Sequence, residues 1–205
     1  MVGKIFLSLI ILSIAALIFH SSLSYFTPDF SHGFLLGKKE LFEGIYKYGF
    51  YAHIISTPIV ITIGTLQIFF RFEKKYPKLH RNAGKIYVAT VLFLAAPGGF
   101  IMAFSAIGGQ LSELCFLLLA MLWIYFTYKA YQSARNKNFK DHKKHMTRSF
   151  LLMLSAINLR ILTFIFIRFF QYEGVEMYTL AAWLSWLPGL LIYELLQYRK
   201  NKLSL

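Results

Sequence analysis

Charge is scarce in this sequence. Of its 205 residues only 15% are charged and 57% are hydrophobic, whereas soluble domains of this length carry about a quarter charged residues. So few polar side chains cannot cover a water-soluble globule, which argues against a soluble enzyme. Acidic residues are scarcer still, nine Asp and Glu against 22 Lys and Arg, for a net charge of +13. Cysteine is reduced to Cys115, inside an apolar run; a single thiol excludes an intrachain disulfide, a CxxC redox pair and a thiolate cluster. The apolar stretches lack the alternation of barrel strands. No internal repeat or low-complexity segment is evident, and no Ser/His/Asp arrangement points to a hydrolase.

What the sequence does contain is long apolar runs. Residues 5–19, 49–70, 87–107, 111–131, 150–170 and 178–196 each approach or reach the roughly 20 residues that span a bilayer as a helix. Pro188 and Gly189 interrupt the last. The first follows Lys4 and is short, and no Ala-x-Ala site follows it, so it reads as an uncleaved first span. The expectation is an all-α polytopic membrane protein, a single domain over 1–205 with helices at about 5–20, 47–70, 83–107, 111–131, 146–170 and 178–197.

Charge between the spans gives the orientation. The 71–85 connection holds Arg71, Lys74, Lys75, Lys78, Arg81 and Lys85 against Glu73. The 129–148 connection holds seven cations against Asp141, and the tail adds Arg199, Lys200 and Lys202. The connections at 108–113 and 171–177 carry no cation. Cationic loops stay in the cytoplasm, so both termini are expected there, in the inner membrane of a bacterium. The same rule accounts for the positive charge without nucleic acid. Tyr172, Tyr178, Trp183 and Trp186 fit an aromatic belt at the opposite boundary.

Polar side chains within a span face the bundle interior or water. In the second span His53, Thr57, Gly64, Gln67 and Arg71 follow steps of four and three, with Val60 between. In the third the same steps link His80, Gly84, Tyr87, Val91, Ala95 and Gly98. In the fifth they link His142, His145, Ser149, Leu152, Ala156, Arg160 and Thr163. The small residues on these faces suit close helix packing. From the helical rise, His53 lies roughly 10 Å and Arg160 roughly 12 Å inside the opposite face. Arg160 is expected to face the interior, as a packing cation or as the holder of an anion such as a haem propionate or a substrate carboxylate. His80 and His145 fall at the cytoplasmic ends of their spans and His142 one turn earlier than His145. Paired imidazoles suit axial ligation of haem iron, and the His142/His145 spacing also suits another divalent metal. Gly84 and Ser149, one turn inward, are expected to leave room for a flat macrocycle, with Arg81, Lys85 and Arg148 near its propionates.

The set His53, Gln67, Arg71, His80-Arg81, Gly84, Tyr87, Pro97-Gly98, Trp123, Ala130, His142, His145-Met146-x-Arg148 and Asn158-Leu159-Arg160 resembles the membrane family named domain of unknown function 2306, over about residues 50–165. The resemblance implies a polytopic membrane protein with functional histidines near the cytoplasmic face. More distantly, the six-helix plan is similar to the di-haem b-type cytochromes of the ascorbate-reducible class, which imply two haems, each on two histidines. Here the fourth helix has no histidine. His53 lies roughly 20 Å from His80 along the helix rise, so an outer haem would require His20, His32 or a different ligand.

Three functions remain in view. The first is a membrane redox protein with a b-type haem near the cytoplasmic face, exchanging electrons with a quinone or a membrane partner, with His80, His145, His53, Arg160, Arg81 and Arg148 at the cofactor. The second is a small-molecule or ion transporter in which His53, Gln67 and Arg160 line a polar path. The third is an accessory subunit whose polar residues only fix helix packing.

Overall fold

Backbone groups in a bilayer have no water to bond, so each crossing segment must pair its own N–H and C=O groups, and the structure does this with helices. The computed structural model describes residues 2–31, 33–70 and 72–202. His32 and Arg71 lie outside the described residues. Among the described residues six helical stretches are long and apolar enough to cross a membrane: Ile5–Phe26, Ile45–Phe69, Pro77–Ala103, Gly109–Arg135, Phe139–Phe170 and Val175–Lys202. This matches the sequence expectation in number and order. The third and fifth begin six and seven residues earlier than the expected helices at 83 and 146, because charged residues are good helix formers and local signals start each helix. Pro77 occupies the first turn of the third, where a missing N–H costs nothing. Asn138 caps the fifth by accepting the Asp141 backbone N–H at 3.2 Å.

The chain forms two compact units, Met1–Met102 and Ala103–Leu205. In the first, helix α1 (Val2–Leu23) packs on α2 (Ile45–Phe69). After the short α3 (Phe72–Lys75) comes α4 (Pro77–Thr90), which passes through a π-helical turn at Val91–Ala95 into α5 (Ala96–Ala103). The Ala96 N–H reaches back to the Val91 carbonyl, and Pro97, two residues into α5, has no N–H to give. A proline inside a span and a widened turn just before it belong together, since the proline ring would otherwise clash with the carbonyl a turn earlier. Between α1 and α2 the chain builds an aromatic cap. Leu35, Phe42, Tyr46 and Phe50 are buried, with Tyr25, Phe30, Phe34, Tyr51, Ile54 and Met102 packed around them.

In the second unit α6 (Gly109–Arg135) and α7 (Phe139–Met153) form a closely packed antiparallel hairpin. Lys137, with φ of 57°, makes the tight reversal between them. The fifth span loosens for a residue at Leu154, between α7 and α8 (Ser155–Phe170), and the sixth at Ser185–Trp186, between α9 (Val175–Leu184) and α10 (Leu187–Lys202), with the chain still helical through both junctions. Asn158, just past the first junction, donates from Nδ2 to the Ser185 carbonyl in the second at 2.8 Å. Trp186 Nε1 donates to the buried Cys115 Sγ at 3.2 Å.

Candidate functional site

In the first unit the polar stripe of α2 meets the small-residue stripe of the third span. His53 donates from Nδ1 to the Ala95 carbonyl at 2.7 Å; a carbonyl only accepts, so the bond places a proton on Nδ1. Ala95 closes the π-turn, a feature common at functional sites. Gly98 and Gly99 let the two helices close on this ring. A Cβ at Gly98 would overlap the Gly49 carbonyl and sit 2.9 Å from the His53 nitrogen, and one at Gly99 would sit 3.1 Å from His53 Nδ1.

Toward the other end of the same helices Gln67 donates from Nε2 to the His80 carbonyl at 3.0 Å. The room expected beside Gly84 is taken by this carboxamide, since a Cβ at Gly84 would lie 3.4 Å from Gln67 Nε2. The Gln67 Oε1 and Thr65 Oγ1 atoms are buried and make no hydrogen bond among the described residues. Arg81 is exposed on α4.

The second unit carries the other candidates. His142 donates from Nδ1 to the Ala130 carbonyl across the α6–α7 hairpin at 2.9 Å, the same device that holds His53. One turn on, the His145 ring lies beside Phe126 with centroids 6.1 Å apart, and its buried Nδ1 makes no hydrogen bond among the described residues. A further turn inward Ser149 and Thr127, both fully buried, share a hydroxyl bond at 2.8 Å. That bond closes the space expected there. Trp123, one turn above Thr127 on α6, is 6% exposed and its Nε1 likewise has no hydrogen bond among the described residues. The hairpin therefore carries one continuous polar seam.

Arg148 is engaged within the protein. Nε and Nη2 donate to Glu194 Oε1 at 2.5 Å and Oε2 at 2.8 Å, with Phe126 and Tyr193 over the guanidinium at 5.3 and 5.4 Å. Any propionate at this arginine would compete with Glu194. Arg160 departs from its expected interior position. It is exposed, and its Nη1 turns back along α8 to the Ala156 carbonyl at 2.7 Å, because the small Ala156 side chain lets the guanidinium reach main chain one turn away. Among the described residues no three His, Cys, Asp or Glu side chains gather so as to hold a metal ion.

Several participants lie beyond the sequence reading. Glu194 had a signal, as the lone carboxylate in the last apolar run. Lys38 had none, and yet it is 6% exposed, its Nζ 3.2 Å from the Tyr46 hydroxyl and 3.9 Å from the centre of the Phe34 ring. Burial in the aromatic cap pushes this amine down to about 8.

No curated protein and no solved structure matches the chain. A family model does match, the predicted membrane protein family DUF2306, over residues 50–197. That stretch takes in five of the six spans and every histidine of the candidate site, and the chain belongs to this family.

Proposed function

We propose that this protein is a membrane redox protein that holds a b-type haem near its cation-rich face and exchanges electrons with a quinone or a membrane partner. The observation that supports the reading is the pair of histidines on α7. His142 has its Nδ1 committed to the Ala130 carbonyl, the outer-shell bond that orients ligating imidazoles and leaves Nε2 basic. Its neighbour His145 presents a buried ring nitrogen with no hydrogen bond among the described residues, which native structures rarely leave unexplained. Their ring nitrogens suit axial ligation, while the Thr127–Ser149 bond fills the space one turn inward, so any macrocycle would have to lie elsewhere around the ring; a bound haem would supply one-electron chemistry that no side chain here can supply. The chain's own contribution is to orient the imidazole, exclude water through the packed hairpin, and surround the site with Lys144 and the other cations of the 129–148 connection. That face is taken as cytoplasmic and the membrane as the bacterial inner membrane, from the cation asymmetry of the loops.

The test is a visible spectrum of the detergent-purified protein, oxidised and then reduced. A Soret band that shifts on reduction and is lost in His142→Ala or His145→Ala supports the reading, and the His80→Ala spectrum asks whether a second ligand comes from α4. A colourless protein without bound iron refutes it.

A second reading, transport of a small polar solute, is favoured by a different observation. Three of the six spans depart locally from regular α-helix, at Val91–Ala95, at Leu154 and at Ser185–Trp186. Interrupted spans expose main-chain groups for substrate and ions in many transporters, and here polar side chains meet two of these departures, His53 at Ala95 and Asn158 at Ser185. Solute uptake into vesicles by a colourless protein would favour it.

A further inference from the structure

A guanidinium offers two edges that each match a pair of anionic oxygens: the side edge of Nε and one Nη, and the end edge of both Nη atoms. In Arg148 the side edge is filled by Glu194, which accepts from Nε and Nη2. The end edge makes no hydrogen bond to any described residue. The Phe126 and Tyr193 rings lie against the guanidinium, with centroids 5.3 and 5.4 Å from its carbon, and help to hold it in place. The side chain of Arg148 is 13% exposed, against 43% for Glu194, so this open edge belongs to a largely desolvated charge. Such a charge gains strongly from a second anion.

The position along the helix identifies that anion. Arg148 precedes by two residues the apolar run that starts at Phe150, which places it at headgroup level. Lys144 is one turn further toward the cation-rich connection on the same helix face, with Asp141 only loosely against it at 3.9 Å. A clamped guanidinium with a lysine one turn below it, at the depth of lipid phosphates, has the composition of a phosphate site.

We propose that the end edge of Arg148, together with Lys144, binds a phosphate oxyanion, supplied by the headgroup of an anionic phospholipid. Glu194 holds the guanidinium in register from the other side and, as a like charge next to the phosphate, keeps the affinity moderate. The site adjoins His145, whose ring also lies beside Phe126, but its formation does not depend on a bound cofactor.

Native mass spectrometry of the full chain in detergent, without added haem and titrated with phosphatidylglycerol or phosphatidylcholine, tests it. The wild type should retain phosphatidylglycerol with about tenfold preference. Glu194→Gln keeps a hydrogen-bonding partner and removes the repelling charge, and should bind phosphatidylglycerol more tightly than the wild type. Arg148→Gln/Glu194→Gln removes both charges without stranding either, and should lose the preference while phosphatidylcholine binding stays unchanged. Competition by millimolar inorganic phosphate would make free phosphate the occupant and overturn the lipid assignment, whereas no competition supports the headgroup. A double variant with wild-type preference, or a Glu194→Gln protein that binds phosphatidylglycerol no more tightly, overturns the phosphate site altogether.

Discussion

Replacing Gly98 by alanine tests the closest helix contact in the first unit. The added Cβ would overlap the Gly49 carbonyl and stand 2.9 Å from the His53 nitrogen and 3.1 Å from its Cβ. Two of these three atoms are main chain of α2, which cannot rotate away, so α2 and α5 must separate. Overpacking of this kind costs about 1–3 kcal/mol, and a clash with rigid backbone belongs at the upper end. Alanine regains about 1 kcal/mol over glycine through helix propensity, which leaves a net loss of about 2 kcal/mol. For a chain of this size that is a fall in melting temperature of about 4–8 °C.

Two controls sharpen the test. At Gly99 the new Cβ would meet only the His53 ring, 3.1 Å from Nδ1 and 3.2 Å from Cε1. A ring can swing by a few tenths of an ångström, so Gly99→Ala should melt near the wild type while disturbing the His53–Ala95 bond. At Gly84 the one neighbour is Gln67 Nε2 at 3.4 Å, ordinary contact with a flexible side chain, and Gly84→Ala should be neutral or slightly stabilising. Thermal unfolding in detergent, followed by helical circular dichroism, gives all three values. If Gly98→Ala melted with the wild type, α2 and α5 would not touch as described and the placement of His53 against the π-turn would fall with them.

Thr127→Val removes one half of the buried hydroxyl pair and should cost about 1–2 kcal/mol, while Thr127→Val/Ser149→Ala should cost less than the sum of the single changes. Lys38 gives a pH effect with a definite sign: its folded value of about 8 lies below the ordinary lysine value of 10.5. The unfolded chain therefore holds more protons between those limits, and stability should rise with pH from 8 to 10.5. Lys38→Met should abolish that rise, and a wild-type melting temperature that fell across the interval would contradict the buried amine. Alkaline phosphatase fused after Lys140 should be inactive and after Glu173 active, and the reverse pattern would invert the orientation.

The spans were legible because the bilayer imposes them: a run of apolar residues has few ways to satisfy its backbone. Hydropathy marks only the lipid-buried part of each helix, however. It missed the first turns of α4 and α7, where Pro77 and Asn138 start helices among charged residues. The helix faces were legible too, through their steps of four and three. The stripe of α2 that carries His53 and Gln67 does meet the stripe that carries His80, Ala95 and Gly98, and Ser149 and His142 on α7 do face α6.

What stayed hidden was the partner in most of these contacts, because it is main chain. His53, Gln67, His142, Asn158 and Arg160 all donate to backbone carbonyls. Every position has a carbonyl, so composition cannot single out Ala95 or Ala130; a π-turn or a close hairpin makes one of them reachable. The same logic explains Arg160. Its charge implied an interior partner, but a long side chain on a helix of small and apolar neighbours can find an acceptor one turn away. Arg148 went the other way, since its partner Glu194 lies 46 residues on, beyond a junction in the sixth span that only Pro188 and Gly189 foreshadowed. Long-range polar pairs are set by which helices adjoin, and in a membrane protein that choice is made by small residues and interruptions rather than by the charges themselves.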